Sequence, residues 1–455
     1  MQTWLKNALG YTGEWLDYQM GQTRQPGCSI AVAHKGRVVF ERAYGHADAA
    51  KGERLTPRHR FRVASHSKSF TAAGILKLRE AGKLGLDDPV GRYVDGLHPM
   101  VAEATLTQLL SHGAGLVRDG ADAGQWLDRR PFASEAELRA ALAEPPMITP
   151  NSRMKYSNHG FGLLGLVIEA ITGEPYGQWI SRHVVAASKL KETTPDGPAA
   201  KGIPVARGHS AEQPLGHRVI IPGDNPTHVL APATGFVSTA ADLTRYFASL
   251  DPAAPRSVLS PASRRAMIHK QWRDPHYTVV SHYGLGLMMG SAGGWDWAGH
   301  GGGFQSCLSR TSMLPGRELC VSILTNATDG MANAWSDGVI KILKTFADNS
   351  MPSARARPWT RRWWSLWGAA DLVPFGNKVM IAEPGLLNPF SGAEEITVST
   401  GDQGVISLGG GYGSHGEAAH LIRGRDGKVR EVWLGGARLV PEARAKAEMK
   451  KRYGN

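Results

Sequence analysis

The start of this chain holds no apolar run long enough for a membrane anchor or a secretory leader. That start, "MQTWLKNALGYTGEWLDYQ", spaces tryptophan and leucine at helical intervals among polar residues, which predicts a surface helix. A cytoplasmic location is the expectation, or a periplasmic one if an export signal has been removed, and no membrane partner is expected. Cysteine is scarce. Three in 455 residues cannot build a disulfide framework. Cys307 and Cys320 flank a predicted hairpin turn, "LPGRE", but counting outward from it sets Cys307 opposite a residue near Leu324, so free thiols are expected. Long basic runs are absent as well, although the net charge is +12. The densest patch, "RARPWTRRWW" from Arg355, mixes arginine with tryptophan, which can stack bases or simply pack inside a β-domain. Dispersed basicity favours solubility over a nucleic-acid partner, so none is expected. Repeats and low-complexity segments are lacking. The 17 histidines include no His-Glu-x-x-His, and no cysteine pairs have zinc spacing, so no metal is expected.

What is present is the composition of a globular chain: 42% hydrophobic residues, 20% charged ones and 55 glycines. The length exceeds one ordinary core and calls for two or three domains. "PGCSIAVAHKGRVVFERAYGHAD" reads as two strands joined at "HKGR". From Ser65 to about Lys191 the pattern is helical. "SKSFTAAGILKLREAGKL" runs from a serine to Gly82, and "SNHGFGLLGLVIEAITG" ends at Gly173. Residues 195–228 are rich in proline, glycine and histidine and read as a long loop over a cleft. Strand signals return at "YGLGLMM", "FQSCLSRTSML" and "ELCVSILTN", followed by a helix, "MANAWSDGVIKILKTFA". Strands early and late with helices between them suit an α+β design, an antiparallel sheet carrying a helical insertion over about 65–280. "DNSMPSARARP" reads as a linker. The expected division is a domain over 1–350 and a small all-β domain, sheet or barrel, over 351–455, ending in a short charged helix.

The chemistry centres on "FRVASHSKSFTAAG". Ser65 and Lys68 are three apart and share one face of a helix start. Serine needs a neighbouring base to become a nucleophile, and lysine becomes one when burial or a nearby cation lowers its pKa. The helix amino terminus adds positive potential where an oxyanion would form. An isolated Ser-x-x-Lys is weak evidence, because a polar helix start with a stray lysine looks the same. Ser188 and Lys191 in "ASKLKE" repeat the spacing in a polar segment and read as surface. Two further elements change the weight. "MKYSNHG" supplies Tyr156, which can shuttle a proton if cationic neighbours lower its pKa, and Asn158, which can orient the lysine and a substrate amide. On their own these read as a helix cap with core packing. "WAGHGGGFQS" supplies His300 beside Gly301, Gly302 and Gly303, a turn histidine in the bland reading, or backbone open to close approach by a substrate.

With these elements in order, the chain resembles the penicillin-recognising serine hydrolases of class C β-lactamase type, a family that includes D-alanyl-D-alanine peptidases, D-aminopeptidases and esterases. Ser-x-x-Lys is one of its motifs. The resemblance runs from about Pro26 to Phe346 and includes "GKLGLDDPVGRYV", "TLTQLLSHGAGL", "PATGFVSTAADLTRY", "YGLGL" and "GHGGG" besides the stretches above. It implies a β-lactamase/transpeptidase-like antiparallel sheet flanked by helices, beside an all-helical region, with the site at their junction. It implies Ser65 as the acylated nucleophile, Lys68 and Tyr156 as proton-transfer groups, and Asn158 as an orienting residue. It implies His300 in the first position of the family's Lys/His-Thr/Ser-Gly element, with Gly301 and Gly302 lining the substrate site, and an oxyanion hole built from the backbone N–H groups of Ser65 and Gly303. No cofactor is implied. The third element departs from the lactamase pattern. His300-Gly301-Gly302 lacks the lysine and hydroxyl that bind a substrate carboxylate. This tilts the expectation to small neutral esters, amides or short peptides, with β-lactamase or penicillin-binding DD-peptidase activity as the alternative. Oligomeric state is left open.

"HGGG" also matches the oxyanion loop of α/β-hydrolases, but no Gly-x-Ser-x-Gly elbow follows. "GYGSHG", with Gly411, Gly413 and Gly416, matches a dinucleotide fingerprint, but no βαβ unit surrounds it. A rival of another class is a non-catalytic binder of peptidoglycan fragments, which would have no chemical need for Ser65, Lys68 and Tyr156 together.

Overall fold

A computed structural model describes residues 2–274, 278–410 and 413–454. It divides into two compact units, one of residues 24–336 and one of residues 1–23 with 337–455. The sequence placed a single boundary near 350.

In the first unit, Gly27–His34 and Arg37–Asp48 form the expected hairpin, turning at Lys35-Gly36 where both residues have positive φ. These strands join a nine-stranded sheet in the order Glu53–Arg54, Arg37–Asp48, Gly27–His34, Leu319–Thr325, Cys307–Leu314, Trp295–Phe304, Met288–Ala292, His282–Tyr283, Trp272–Arg273. The named pairings are antiparallel, and Gly27–His34 pairs directly with Leu319–Thr325, so the two ends of the unit's sequence meet in mid-sheet. The helices between these strand sets pack as the insertion that the pattern predicted. Helix Ser67–Glu80 follows one 3-10 turn, Ala64–His66, and buries eleven of its fourteen residues. Helix Asn158–Thr172 is capped by Ser157, whose hydroxyl accepts from the Gly160 amide at 2.9 Å, and it ends at Gly173 with φ +70°. At Gly165 a Cβ would come within 2.4 Å of Pro232, so only glycine allows this helix to lie so close to the 231–234 turn. The long segment 195–228 carries one two-residue pairing, Gly208–His209 with Ile220–Ile221.

Cys307 and Cys320 lie on adjacent strands, and Cys320 faces Met313, so the three buried cysteines are free. His300 lies inside strand Trp295–Phe304 rather than in a turn.

The second unit holds an eight-stranded meander from Arg361–Ser365 to Ala437–Leu439. Trp364 and Val440 exchange two backbone hydrogen bonds of 2.8 Å, so the last strand's end returns to the first and the sheet is a nearly closed barrel. Its interior answers the arginine–tryptophan question. Trp359 and Trp363 are core side chains, packed with Val379, Ile396 and Val432. The expected terminal helix is Glu442–Tyr453. Helix Thr3–Thr23 belongs to this unit because its apolar face is covered there. Tyr11 packs on Phe346 and Phe390, and the Trp15 indole donates to the Leu386 carbonyl at 3.2 Å. In the glycine-rich "GYGSHG", Gly413 and Gly416 lie between strands Gln403–Leu408 and Ala418–Arg423, and Gly411 lies outside the described residues. Among the described residues no helix is long and apolar enough to cross a membrane.

Candidate active site

The 3-10 turn before helix Ser67–Glu80 is held in an unusual backbone state. Ala64 has φ +46°, a left-handed value that costs a non-glycine residue of order 1 kcal/mol or more. The next residue is Ser65, whose N–H falls in the first turn, where helices have no internal acceptor. Its hydroxyl is the meeting point of the site. Tyr156 Oη lies 2.8 Å from Ser65 Oγ, and Lys68 Nζ lies 3.1 Å from the same atom. The helical spacing brings Lys68 there. Tyr156 arrives from the segment that leads into helix Asn158–Thr172.

Lys68 is fully buried. Its amine donates to Asn158 Oδ1 at 2.7 Å and to the Ala233 carbonyl at 2.9 Å. Burial holds its pKa well below the ordinary lysine value. Asp119 opposes the shift and Arg118 adds to it. A neutral amine has two N–H bonds and one lone pair. The two carbonyl acceptors take the N–H bonds, which leaves the lone pair for the Ser65 hydroxyl. Asn158 is oriented in turn by Asp119, which accepts from its Nδ2 at 2.6 Å, so Oδ1 must face the lysine. Arg118 Nε pairs with the other Asp119 oxygen at 3.0 Å.

The phenol of Tyr156 differs from the sequence-based expectation. Burial raises its pKa above the ordinary tyrosine value and outweighs the Ser65 contact and Arg118, which lower it. Tyr156 is therefore a neutral O–H donor. Its ring lies against His112 at 4.1 Å with the planes tilted by 35°, and meets Tyr283 edge-on at 6.2 Å. His112 Nδ1 accepts the Ser157 amide at 3.1 Å, and burial, Lys68, His300 and Arg118 hold its imidazole neutral.

Strand Trp295–Phe304 forms the facing wall. Gly302 packs directly on the serine turn, where a Cβ would sit 2.1 Å from the Val63 carbonyl. Gly301 has more room, and Gly303 is exposed. The strand turns at Gln305-Ser306 and closes on the pair Phe304/Cys307. A two-residue hairpin closes on a hydrogen-bonded pair, so alternation turns the N–H groups of Gly301 and Gly303 away from strand Cys307–Leu314. The neighbouring strand pairs only as far as Gly299, which leaves that edge free at Gly303. His300 is 1% exposed and fully engaged. Its Nδ1 is 2.6 Å from the Gly301 carbonyl and must donate there, so Nε2 accepts from Tyr283 Oη at 3.0 Å. Burial, Lys68 and His66 keep this imidazole well below the ordinary histidine value.

The structure thus brings Ser65, Lys68, Tyr156 and Asn158 into direct contact, with the glycine strand alongside. Asp119, His112 and Tyr283 are the members that sequence reasoning missed. His112 and Tyr283 sat inside "TLTQLLSHGAGL" and "YGLGL", read there only as family stretches, and nothing local marked Asp119. Among the described residues no cluster of three or more histidine, cysteine, aspartate or glutamate side chains could hold a metal ion.

The chain is similar to several known proteins. Protein flp of Staphylococcus aureus strain MW2 is 28% identical over 183 residues, 39% of this chain and 36% of that protein. Esterase EstB of Burkholderia gladioli is 32% identical over 174 residues, 35% of this chain and 44% of the esterase. The chain therefore spans less than half the length of either curated relative. Of solved structures, the octameric penicillin-binding protein homologue from Pyrococcus abyssi superposes with a TM-score of 0.67 at 21% identity, over 95% of this chain and 99% of that one. A D-stereospecific amidohydrolase from Streptomyces sp. gives 0.61 at 26% identity, over 72% of this chain and 96% of that one. The family model described as Beta-lactamase matches residues 14–341, and with most of its length so matched the chain belongs to the Beta-lactamase family, a family of serine hydrolases.

Proposed function

We propose that this protein hydrolyses small neutral esters or amides through a covalent acyl-enzyme on Ser65. The observation that carries the reading is the pair of contacts on one oxygen: Ser65 Oγ touches both the buried amine of Lys68 and the phenol of Tyr156. Neutral Lys68 takes the serine proton as the bond from Oγ to the substrate carbonyl carbon forms. The carbonyl oxygen becomes an oxyanion against the N–H groups of Ser65 and Gly303. Losing one such donor typically costs about 10² to 10³ in turnover. Tyr156 gives its proton to the leaving oxygen or nitrogen as that bond breaks. The Lys68 ammonium then returns its proton to the Tyr156 phenolate, which leaves both groups neutral. Water then attacks the acyl carbon and surrenders a proton to the same pair, Ser65 leaves with a proton restored, and the products are the acid and the alcohol or amine. Asn158 and Asp119 keep Lys68 aimed. No step needs a cofactor.

Substrate charge follows from His300. In the strand position beside the glycines stands a neutral ring with both nitrogens occupied, which offers a substrate carboxylate no positive charge. Arg118 is near, over the Tyr156 ring at 5.5 Å, but its charge is answered by Asp119. Neutral substrates are favoured over β-lactams on this ground. A relative named as an esterase and a structural neighbour named as a D-stereospecific amidohydrolase support the same direction.

The test is a panel of short-chain nitrophenyl esters, D- and L-amino-acid anilides and a chromogenic cephalosporin. Turnover of esters or anilides is expected. Cleavage of the cephalosporin alone overturns the preference for neutral substrates. Tyr156→Phe should slow turnover by about 10² and let labelled acyl-enzyme accumulate at Ser65, read by intact-protein mass. A variant with wild-type turnover and no accumulation removes Tyr156 from the mechanism.

A further inference from the structure

The site has two unlike ends, and the position of Tyr156 tells them apart. Its ring abuts Tyr283, whose hydroxyl holds His300, so Tyr156 lies towards the His300 end of strand Trp295–Phe304. The leaving atom must sit beside the group that protonates it. The leaving group therefore occupies the His300 end, and the acyl substituent points past Gly303 towards Phe304.

That second end is shut. Segment 118–132 starts at the site, where the Arg118 carbonyl accepts the Asn158 amide at 2.9 Å, and crosses to the tip of the glycine hairpin. There Phe132 stacks on Phe304 at 5.4 Å and 14°, and Trp126 meets both rings edge-on at 5.2 and 6.1 Å. Polar contacts close the rim outside this cluster. Gln305 Nε2 lies 3.3 Å from Asp128 Oδ1, and Asn225, from the long 195–228 segment, donates to the same oxygen at 2.8 Å. Three separate segments thus converge on one carboxylate. The wall stands one to two residues beyond Gly303, about 7 Å at most along a strand.

We infer that this clasp limits the acyl group to short chains and makes Phe304, Phe132 and Asp128 the residues that set substrate length, with the aromatic cluster as the stop and Asp128 as the latch. The inference rests on the acyl-enzyme reading above. A pocket too short by a methylene or more rejects the longer homologue by tenfold or more in kcat/KM. Butyryl fits before the stop and octanoyl does not.

The experiment measures kcat/KM for nitrophenyl butyrate and octanoate with the full-length protein. The ratio of the two within one preparation cancels any loss of folded enzyme. The wild type should favour butyrate by about tenfold or more. Asp128→Ala removes the two contacts to this carboxylate, leaving Gln305 Nε2 its bond to the Gln125 carbonyl at 3.0 Å, and should shift the ratio towards octanoate by about fivefold or more, and Phe132→Leu, which shortens the stop, should shift it in the same direction. Equal rates on the two esters in the wild type overturn the inference, as does an unchanged ratio in both variants. Failure of the catalytic reading is a different result: neither ester is hydrolysed, or Ser65→Ala hydrolyses both.

Discussion

The Ser-x-x-Lys spacing of Ser65 and Lys68 recurs in this chain at Ser188 and Lys191, and the two pairs can be compared. At the first, the lysine is sealed from water and its amine touches the serine oxygen. At the second, the lysine is exposed, Lys189 between them has φ +59°, and the buried Ser188 Oγ has no hydrogen-bond partner. The left-handed residue breaks the helical geometry that would bring i and i+3 together. Spacing sets which side chains can meet on a helix. Burial and the neighbours that arrive from elsewhere decide whether the meeting has chemical force.

Substituting both serines is the largest test of that contrast. Ser65→Ala should cut ester turnover by on the order of 10⁴ or more and abolish labelling by a fluorophosphonate probe. Ser188→Ala should change neither. Equal losses, or none at either site, erase the distinction. The lysines come next. Lys68→Ala should lower turnover by about 10³, whereas Lys191→Ala should stay near the wild-type value, read from the same assay. The smallest effect sharpens the cause. Lys68 must be neutral to act, and its pKa is depressed, so kcat/KM should rise with pH through one deprotonation lying well below 10.5. Tyr156 must stay protonated, and its pKa is raised, so activity should show no fall from its ionisation up to about pH 10. An ascending limb centred at the ordinary lysine value would mean that burial does not tune the base.

Much of this was legible because it is local. The turn at Lys35-Gly36 and the ends of helix Asn158–Thr172 at Ser157 and Gly173 are written in residues a few positions apart. The helix quoted from Ser67 does begin there, and Ser65 lies in a separate 3-10 turn just before it, which the pattern did not distinguish. Strands Arg361–Ser365 and Gly368–Phe375 escaped notice. Their tryptophans, arginines and a proline blur the alternation that exposes a strand, and only the closed barrel explains why Trp363 points inward while Trp367, in the turn, is 97% exposed. Helix Thr3–Thr23 looked like a surface element, and its periodicity could not name the partner that covers Tyr11 and Trp15.

By itself the sequence determined that Ser65 and Lys68 would share a helical face, that Gly301 to Gly303 would leave backbone uncovered, and that sheet segments early and late would bracket a helical insertion. These follow from short-range geometry, which the order of residues specifies. The tertiary structure alone decided that Lys68 would be dry, that Asp119 would turn Asn158 towards it, that Tyr156 would remain a neutral donor, and that Tyr283 would occupy His300. Each of these depends on groups far apart in sequence sharing one low-dielectric space, and electrostatic energy there is set by distance and burial rather than by position along the chain.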